Sequence, residues 1–211
     1  MALRLLSHYS VSTFSNVYVI ACERSRQAAI IDPARFEAPL LEFIETNGFA
    51  LTHVLITRSD ESHEQGVRTL KRIYDAQIHA GIPEIAGSET AGAPEGTTIS
   101  LGDWEITTIG LPSHSQDARA YLCGHLLFCG PVISAGGIAP GHPGYSGVLL
   151  REMIHERLLS LPSETVVLPR EGPPTTIGLE RRTNPALSTT GDGRSADDDT
   201  PADDVTPTDH E

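Results

Sequence analysis

Long apolar runs, paired cysteines and clustered positive charge are all missing from this chain of 211 residues. No stretch approaches the ~20 apolar residues needed to cross a bilayer. Residues 1–6 are too short and too weakly flanked to read as a secretory signal, so the expected location is cytoplasmic, with no membrane partner. The cysteines, Cys22, Cys123 and Cys129, are odd in number and form no Cys-x-x-Cys pair. That excludes a disulfide framework and a thiolate metal site, and leaves buried free thiols as the expectation. Aromatic residues make up 5% of a chain whose net charge is −13. Without a basic stripe or a stacking platform, an acidic protein repels a phosphate backbone, so nucleic acid is not an expected partner.

What is present divides at Leu187. From Ser188 onward the chain is Ser, Thr, Gly, Asp and Pro with almost no apolar residues. Such a segment cannot bury enough surface to offset its ordering entropy, so 188–211 is expected to be a disordered acidic tail. Its eight acidic residues against Arg194 give −7 of the total −13. Residues 1–187 carry enough apolar content for one core and are expected to form one domain.

Within that domain strand and helix signals alternate, which argues for a layered α/β fold. Residues 17–22 and 28–31 predict a hairpin. Phe36, Leu40, Leu41 and Ile44 predict a helix closed by Gly48. A strand over 53–56, a helix over 64–75 and a strand over 77–80 follow, then a loop over 81–96. Strands at 105–109, 121–123, 125–129 and 165–168 and a helix over 147–159 complete the pattern.

The junction Ile56-Thr57-Arg58-Ser59-Asp60-Glu61-Ser62-His63 lies between the strand ending at 56 and the next helix. It resembles the Thr-His-x-His-x-Asp-His loop of the metallo-β-lactamase-fold superfamily. Later segments resemble family landmarks in the same order: Leu111-Pro112-Ser113-His114-Ser115, Phe128-Cys129-Gly130-Pro131 and Leu168-Pro169-Arg170-Glu171-Gly172-Pro173-Pro174. The opening 15–20 and 28–33 and the close 175–185 are similar to single-domain glyoxalase II-like members, so the resemblance runs over residues 10–186. It implies an αββα sandwich, two sheets face to face with helices outside.

It also implies a degenerate site. The first metal's ligand positions hold Arg58, Asp60 and His114, and the second's hold Ser62, His63 and Glu171. The bridging aspartate is replaced by Pro131, whose side chain has no donor atom. A guanidinium carries no lone pair and repels a dication, so Arg58 argues against a bound metal. In one reading Arg58 replaces the metal's charge between Asp60 and Glu171. In another it points to solvent. In a third, one Zn or Fe ion is held by Asp60, His63, His114 and Glu171. Asp32 is expected to brace a loop, and Tyr145 lies in the region that helps line the substrate mouth in relatives.

Three functions follow. The first is a catalytically inactive glyoxalase II-like protein kept as a binding or regulatory module, with no confident catalytic residue, no cofactor, and an unidentified small molecule or protein as partner. The second is a hydrolase of glutathione thioesters, or a related sulfur-metabolising enzyme, with a rebuilt single-metal site. The third is nucleophilic chemistry at Cys129. Deleting residues 188–211 should change stability by no more than a surface substitution, about 0.5 kcal/mol. A urea melt of the truncated protein checks this, and a large loss would mean that the tail docks on the domain.

Overall fold

The computed structural model describes residues 2–139 and 147–187. The 188–211 tail and Tyr145 lie outside the described residues. The first sheet is built from β1 (Leu3–Ser10), β2 (Ser15–Cys22), β3 (Gln27–Ile31), β4 (Ala50–Leu55) and β5 (Gln77–His79), in that order across the sheet. β1, β2 and β3 form an antiparallel meander, whereas β3, β4 and β5 run parallel. Parallel neighbours need crossover connections. α1 (Ala38–Thr46) and α2 (Glu61–Ile73) supply them.

A short hairpin, β6 (Glu84–Ile85) and β7 (Ser88–Glu89), interrupts the expected 81–96 loop. The second sheet holds β8 (Thr98–Leu101), β9 (Trp104–Gly110), β10 (Arg119–Cys123) and β11 (Leu126–Gly130). A second short hairpin follows, β12 (Ile133–Ser134) and β13 (Gly137–Ile138). After α3 (Gly147–Arg157) come β14 (Val166–Pro169), β15 (Thr175–Thr176) and α4 (Ile177–Thr183). The six-stranded order is β15-β14-β11-β10-β9-β8, with only the β11–β14 pair parallel.

Alternation along each strand sends side chains to two different cores. In β2 all eight residues are buried. Val17, Val19 and Ala21 join Leu40 and Ile44 of α1 and Val67 and Leu70 of α2 in one cluster. Tyr18 and Ile20 face the other way and pack with Ile106, Tyr121 and Phe128 of the second sheet. A third cluster seats Leu150, Met153 and Ile154 of α3 against Leu127, Cys129 and Val167. The layers are therefore helix, sheet, sheet, helix, the αββα sandwich implied by the resemblance. Among the described residues no helix is long and apolar enough to cross a membrane.

Of the strands longer than two residues, two escaped the sequence pattern. β1 alternates between exposed and half-buried positions, with Leu5 and Tyr9 open to solvent, so its apolar content gives no buried run. β8 is only four residues long.

The two sheets also meet at a histidine pair. His53 Nδ1 lies 3.1 Å from His79 Nε2, and His53 Nε2 lies 3.1 Å from the Ser100 carbonyl of β8. Burial, and then the neighbouring His53, push His79 down to about 4, and burial lowers His53 as well. A histidine with a lowered folded-state pKa takes its proton first in the unfolded chain. Stability should therefore fall as pH drops from about 6.5 toward about 4. His79 should contribute about 2 kcal/mol of loss between about pH 7 and about pH 4.5. Urea midpoints across that interval check this. His79→Gln should flatten the slope, and an unchanged slope would contradict the assignment.

Candidate functional site

The carboxyl ends of β3, β4, β9, β11 and β14 fall at one end of the sandwich, where open sheets with crossover helices place their ligand sites. Backbone pairing fixes this rim. Asn16 N–H donates to the Arg170 carbonyl at 2.7 Å, and Arg170 N–H donates to the Gly130 carbonyl at 2.9 Å, so the 169–172 turn joins both sheets. The Asn16 side chain donates to the Pro169 and Gly172 carbonyls, and Tyr18 Oη donates to the Pro169 carbonyl at 2.7 Å.

Asp32 braces the β4 end. Its backbone sits in the left-handed region at φ 52, a conformation that Asp tolerates better than most residues. One buried carboxylate oxygen accepts from Thr57 N–H at 2.8 Å and the other from Thr57 Oγ1 at 2.7 Å. Gly130, at φ 58, sits so close that a Cβ there would fall 2.4 Å from Thr57 Oγ1. Only glycine gives both that dihedral and that approach.

Five of the seven positions named by the resemblance line one cleft of about 360 Å³: Arg58, Asp60, His114, Pro131 and Glu171. His63 is fully buried. Ser62 lies in α2, and its side chain is outside the described residues. Cys129 is also fully buried, its thiol pushed up to about 12 by burial, with Sγ 3.4 Å from the Ile133 carbonyl. A thiol so rarely ionised is no nucleophile, which removes the cysteine-based reading. All three cysteines are free and buried.

The central cation is Arg170, a residue absent from the expected set. Its side chain is 10% exposed, and Nη1 lies 2.8 Å from Asp60 Oδ2. The same nitrogen lies 3.4 Å from His63 Nε2. A guanidinium can only donate, so His63 Nε2 accepts and the neutral ring carries its proton on Nδ1. Burial depresses the His63 pKa, which favours that neutral form. Arg58 is peripheral by comparison. Its side chain is 37% exposed, its Nη2 lies 3.8 Å from Asp60 Oδ2, and Nη1 reaches His114 Nε2 only at 3.5 Å. Glu171 is exposed and makes no ion pair with Arg58 among the described residues. The expectation that Arg58 sits between Asp60 and Glu171 is corrected here: the buried partner of Asp60 comes from the β14 turn. Arg170 was missed because in the resembling motif its position holds glycine, which contributes no ligand.

Two other carboxylates shape the walls. Asp117 accepts from Ser59 N–H at 2.6 Å and from Ser115 Oγ at 2.5 Å, clamping the loop after β4 to the loop holding His114. Glu180 of α4 is buried and accepts from Thr175 Oγ1, Asn184 Nδ2 and Gly136 N–H. That last bond anchors the β12–β13 hairpin, whose Ser134 and Ile138 line the cleft. Neither carboxylate was identifiable from the sequence, since each acts on backbone and hydroxyl groups brought near only by the fold.

Among the described residues the donor set, as placed, falls short of what a catalytic metal needs. A hydrolytic zinc needs about three protein ligands and one open position. Among the described residues no three His, Cys, Asp or Glu side chains are grouped so as to hold an ion. The guanidinium of Arg170 already uses the Asp60 and His63 atoms that would have to serve.

No family model matches the chain. It is 30% identical over 166 residues to the hydroxyacylglutathione hydrolase of Vibrio cholerae serotype O1, an alignment covering 77% of this chain and 64% of that protein. The chain thus spans less than two thirds of that relative's length. Among solved structures it resembles the BLEG-1 B3 metallo-β-lactamase, with a TM-score of 0.77, 22% identity, and coverage of 89% and 100%. It also resembles TTHA1623 in a di-iron-bound form, with a TM-score of 0.72, 25% identity, and coverage of 85% and 98%.

Arg170→Met, which takes from Asp60 the nearer of its two cations, should destabilise the protein by about 3 kcal/mol, the low end for breaking a buried pair because Asp60 keeps some solvent and Arg58 at 3.8 Å. Arg58→Ala should cost less than about 1 kcal/mol. Chemical denaturation of both variants checks the order, and the reverse order would return the central role to Arg58.

Proposed function

Because the chain belongs to the metallo-β-lactamase-fold superfamily and sets a guanidinium where its relatives' ligands converge, we propose that it is a glyoxalase II-like pseudoenzyme retained as a binding or regulatory module. The observation carrying this reading is the 2.8 Å pair between Arg170 and Asp60, with His63 accepting from the same guanidinium. A hydrolytic centre of this fold needs a dication to generate hydroxide near neutral pH. Here a guanidinium pairs with the same carboxylate, and with no open coordination position and no basic lone pair it cannot turn a water into hydroxide. Pro131 adds no donor atom at the bridging position. Asp60, His63, His114 and Glu171 are the remaining candidates for a single zinc or iron. Two of them are engaged by Arg170, and Glu171 is turned to solvent.

What remains is a cleft whose walls are tied by Asp117 and Glu180 and which carries charges of both signs, which supports recognition. The likeness to a hydroxyacylglutathione hydrolase supports the lineage and is the reason a glutathione thioester is the substrate to assay.

Purified without chelator, the protein should hold far less than one zinc, iron or manganese per chain and should not hydrolyse a glutathione thioester. Near-stoichiometric metal that survives dialysis would support the single-metal hydrolase instead. Arg58→His, Asp60→His, Ser62→Asp, Pro131→Asp and Glu171→His together should still bind zinc poorly. Adding Arg170→Gly to those five should restore tight binding, as isothermal titration would show. Tight binding by the five alone would mean that Arg170 does not block the centre.

A further inference from the structure

Arg58 is the cleft's underused cation. Its guanidinium has five N–H donors. Among the described residues it makes one hydrogen bond, to His114 Nε2 at the long distance of 3.5 Å. The nearest carboxylate oxygen, Asp60 Oδ2 at 3.8 Å, already accepts from Arg170 at 2.8 Å. One carboxylate thus stands between two guanidinium groups, and the nearer one takes it. Glu171, the other acid of the lining, makes no ion pair with Arg58 among the described residues. The two guanidinium groups and two carboxylates of the lining balance formally, but Arg58 has no carboxylate within hydrogen-bonding distance among the described residues, so its planar fork of donors is mostly unused. Beside it lies an apolar wall of Pro131, Ile138 and Ala139.

We propose that this cleft is a carboxylate-binding site: a small monocarboxylate accepts from the Arg58 guanidinium while its compact apolar body lies against Pro131, Ile138 and Ala139. The proposal rests on the metal-free reading above and names the ligand class for it. Guanidinium and carboxylate match as two parallel N–H to oxygen bonds, a geometry that a lysine cannot supply. At about 360 Å³ the cleft falls at the small end of the ~300–1,000 Å³ typical of ligand sites, which favours a short acid over a nucleotide or a peptide. Charge sets the valence. Among the described residues Arg58 is the one lining cation without a close carboxylate, which suits a monoanion, whereas a phosphate dianion would bring a second negative charge toward Glu171 with no partner.

The probe is 3-methylbutanoate, with 3-methylbutanamide as its neutral isostere and methyl phosphate as the competing anion. In ¹⁵N-labelled full-length protein, the Arg58 Nε–H resonance should shift saturably with the acid, with a Kd of about 1 mM or tighter. The amide and methyl phosphate should each bind at least about tenfold more weakly. Arg58→Gln should lose the acid by at least about tenfold while keeping the parent's melting temperature, and Arg58→Lys should recover only part of it. Equal binding of acid and amide would overturn the proposal, as would acid binding unchanged in Arg58→Gln. Tighter binding of methyl phosphate would overturn the ligand class. Elemental analysis of the same sample separates the two levels: a metal-free protein that ignores the acid refutes this inference alone, whereas stoichiometric metal refutes the reading beneath it.

Discussion

A buried guanidinium needs a carboxylate within reach, and Arg170 meets Asp60 only because the two sheets are pinned together at one end. The pin is made of peptide groups: Asn16 N–H to the Arg170 carbonyl and Arg170 N–H to the Gly130 carbonyl. One turn therefore belongs to both sheets, and its side chains project over the seam between them. Tyr121 reinforces the seam from below, its hydroxyl lying 3.1 Å from both the Ile56 and the His79 carbonyls. Asp32 then fixes Thr57, and the residues that follow Thr57 inherit their positions. The ion pair is a product of this framework and adds to its stability without being its cause.

That framework was largely legible in the sequence, and the reason is periodicity. β2 and β3 are mostly buried apolar runs, β4 ends in one at Val54 and Leu55, and α1 stops just before Gly48 takes a positive φ. Patterns of this kind are written locally, so one sequence shows them. β1 is half-exposed and β8 is short, so each needs its neighbours before its pattern means anything. The site divides in the same way. Motif order identified positions that the fold brings to one cleft, yet the contacts among them depend on side-chain reach. Arg170 and Arg58 both had reach enough for Asp60, and the choice between them rests on the path of the 169–172 turn, which no local pattern encodes.

The electrostatics of the exchange proposed here are simple. At the seven positions aspartate is lost twice, at Ser62 and Pro131, and acid is gained twice, as Asp60 and Glu171, so the exchange moves the acids rather than removing them. Glu171 is exposed, which leaves Asp60 as the acid facing the guanidinium. That displacement of acid from the centre is a precondition for an arginine to serve there. A single guanidinium would leave a full complement of carboxylates repelling one another in a region of low dielectric.

The pin between the sheets has one more consequence, for the mutational history of the molecule. Both of its hydrogen bonds at position 170 use main-chain atoms, so the pin does not depend on which side chain that residue carries. A replacement there keeps the pin itself, and its cost falls on the ion pair with Asp60 in the cleft. Chemistry and architecture are thus uncoupled at this residue, in contrast to Gly130, where any side chain would strike Thr57. A protein with its site built on such a position can exchange one occupation for another while the path of its main chain stays the same.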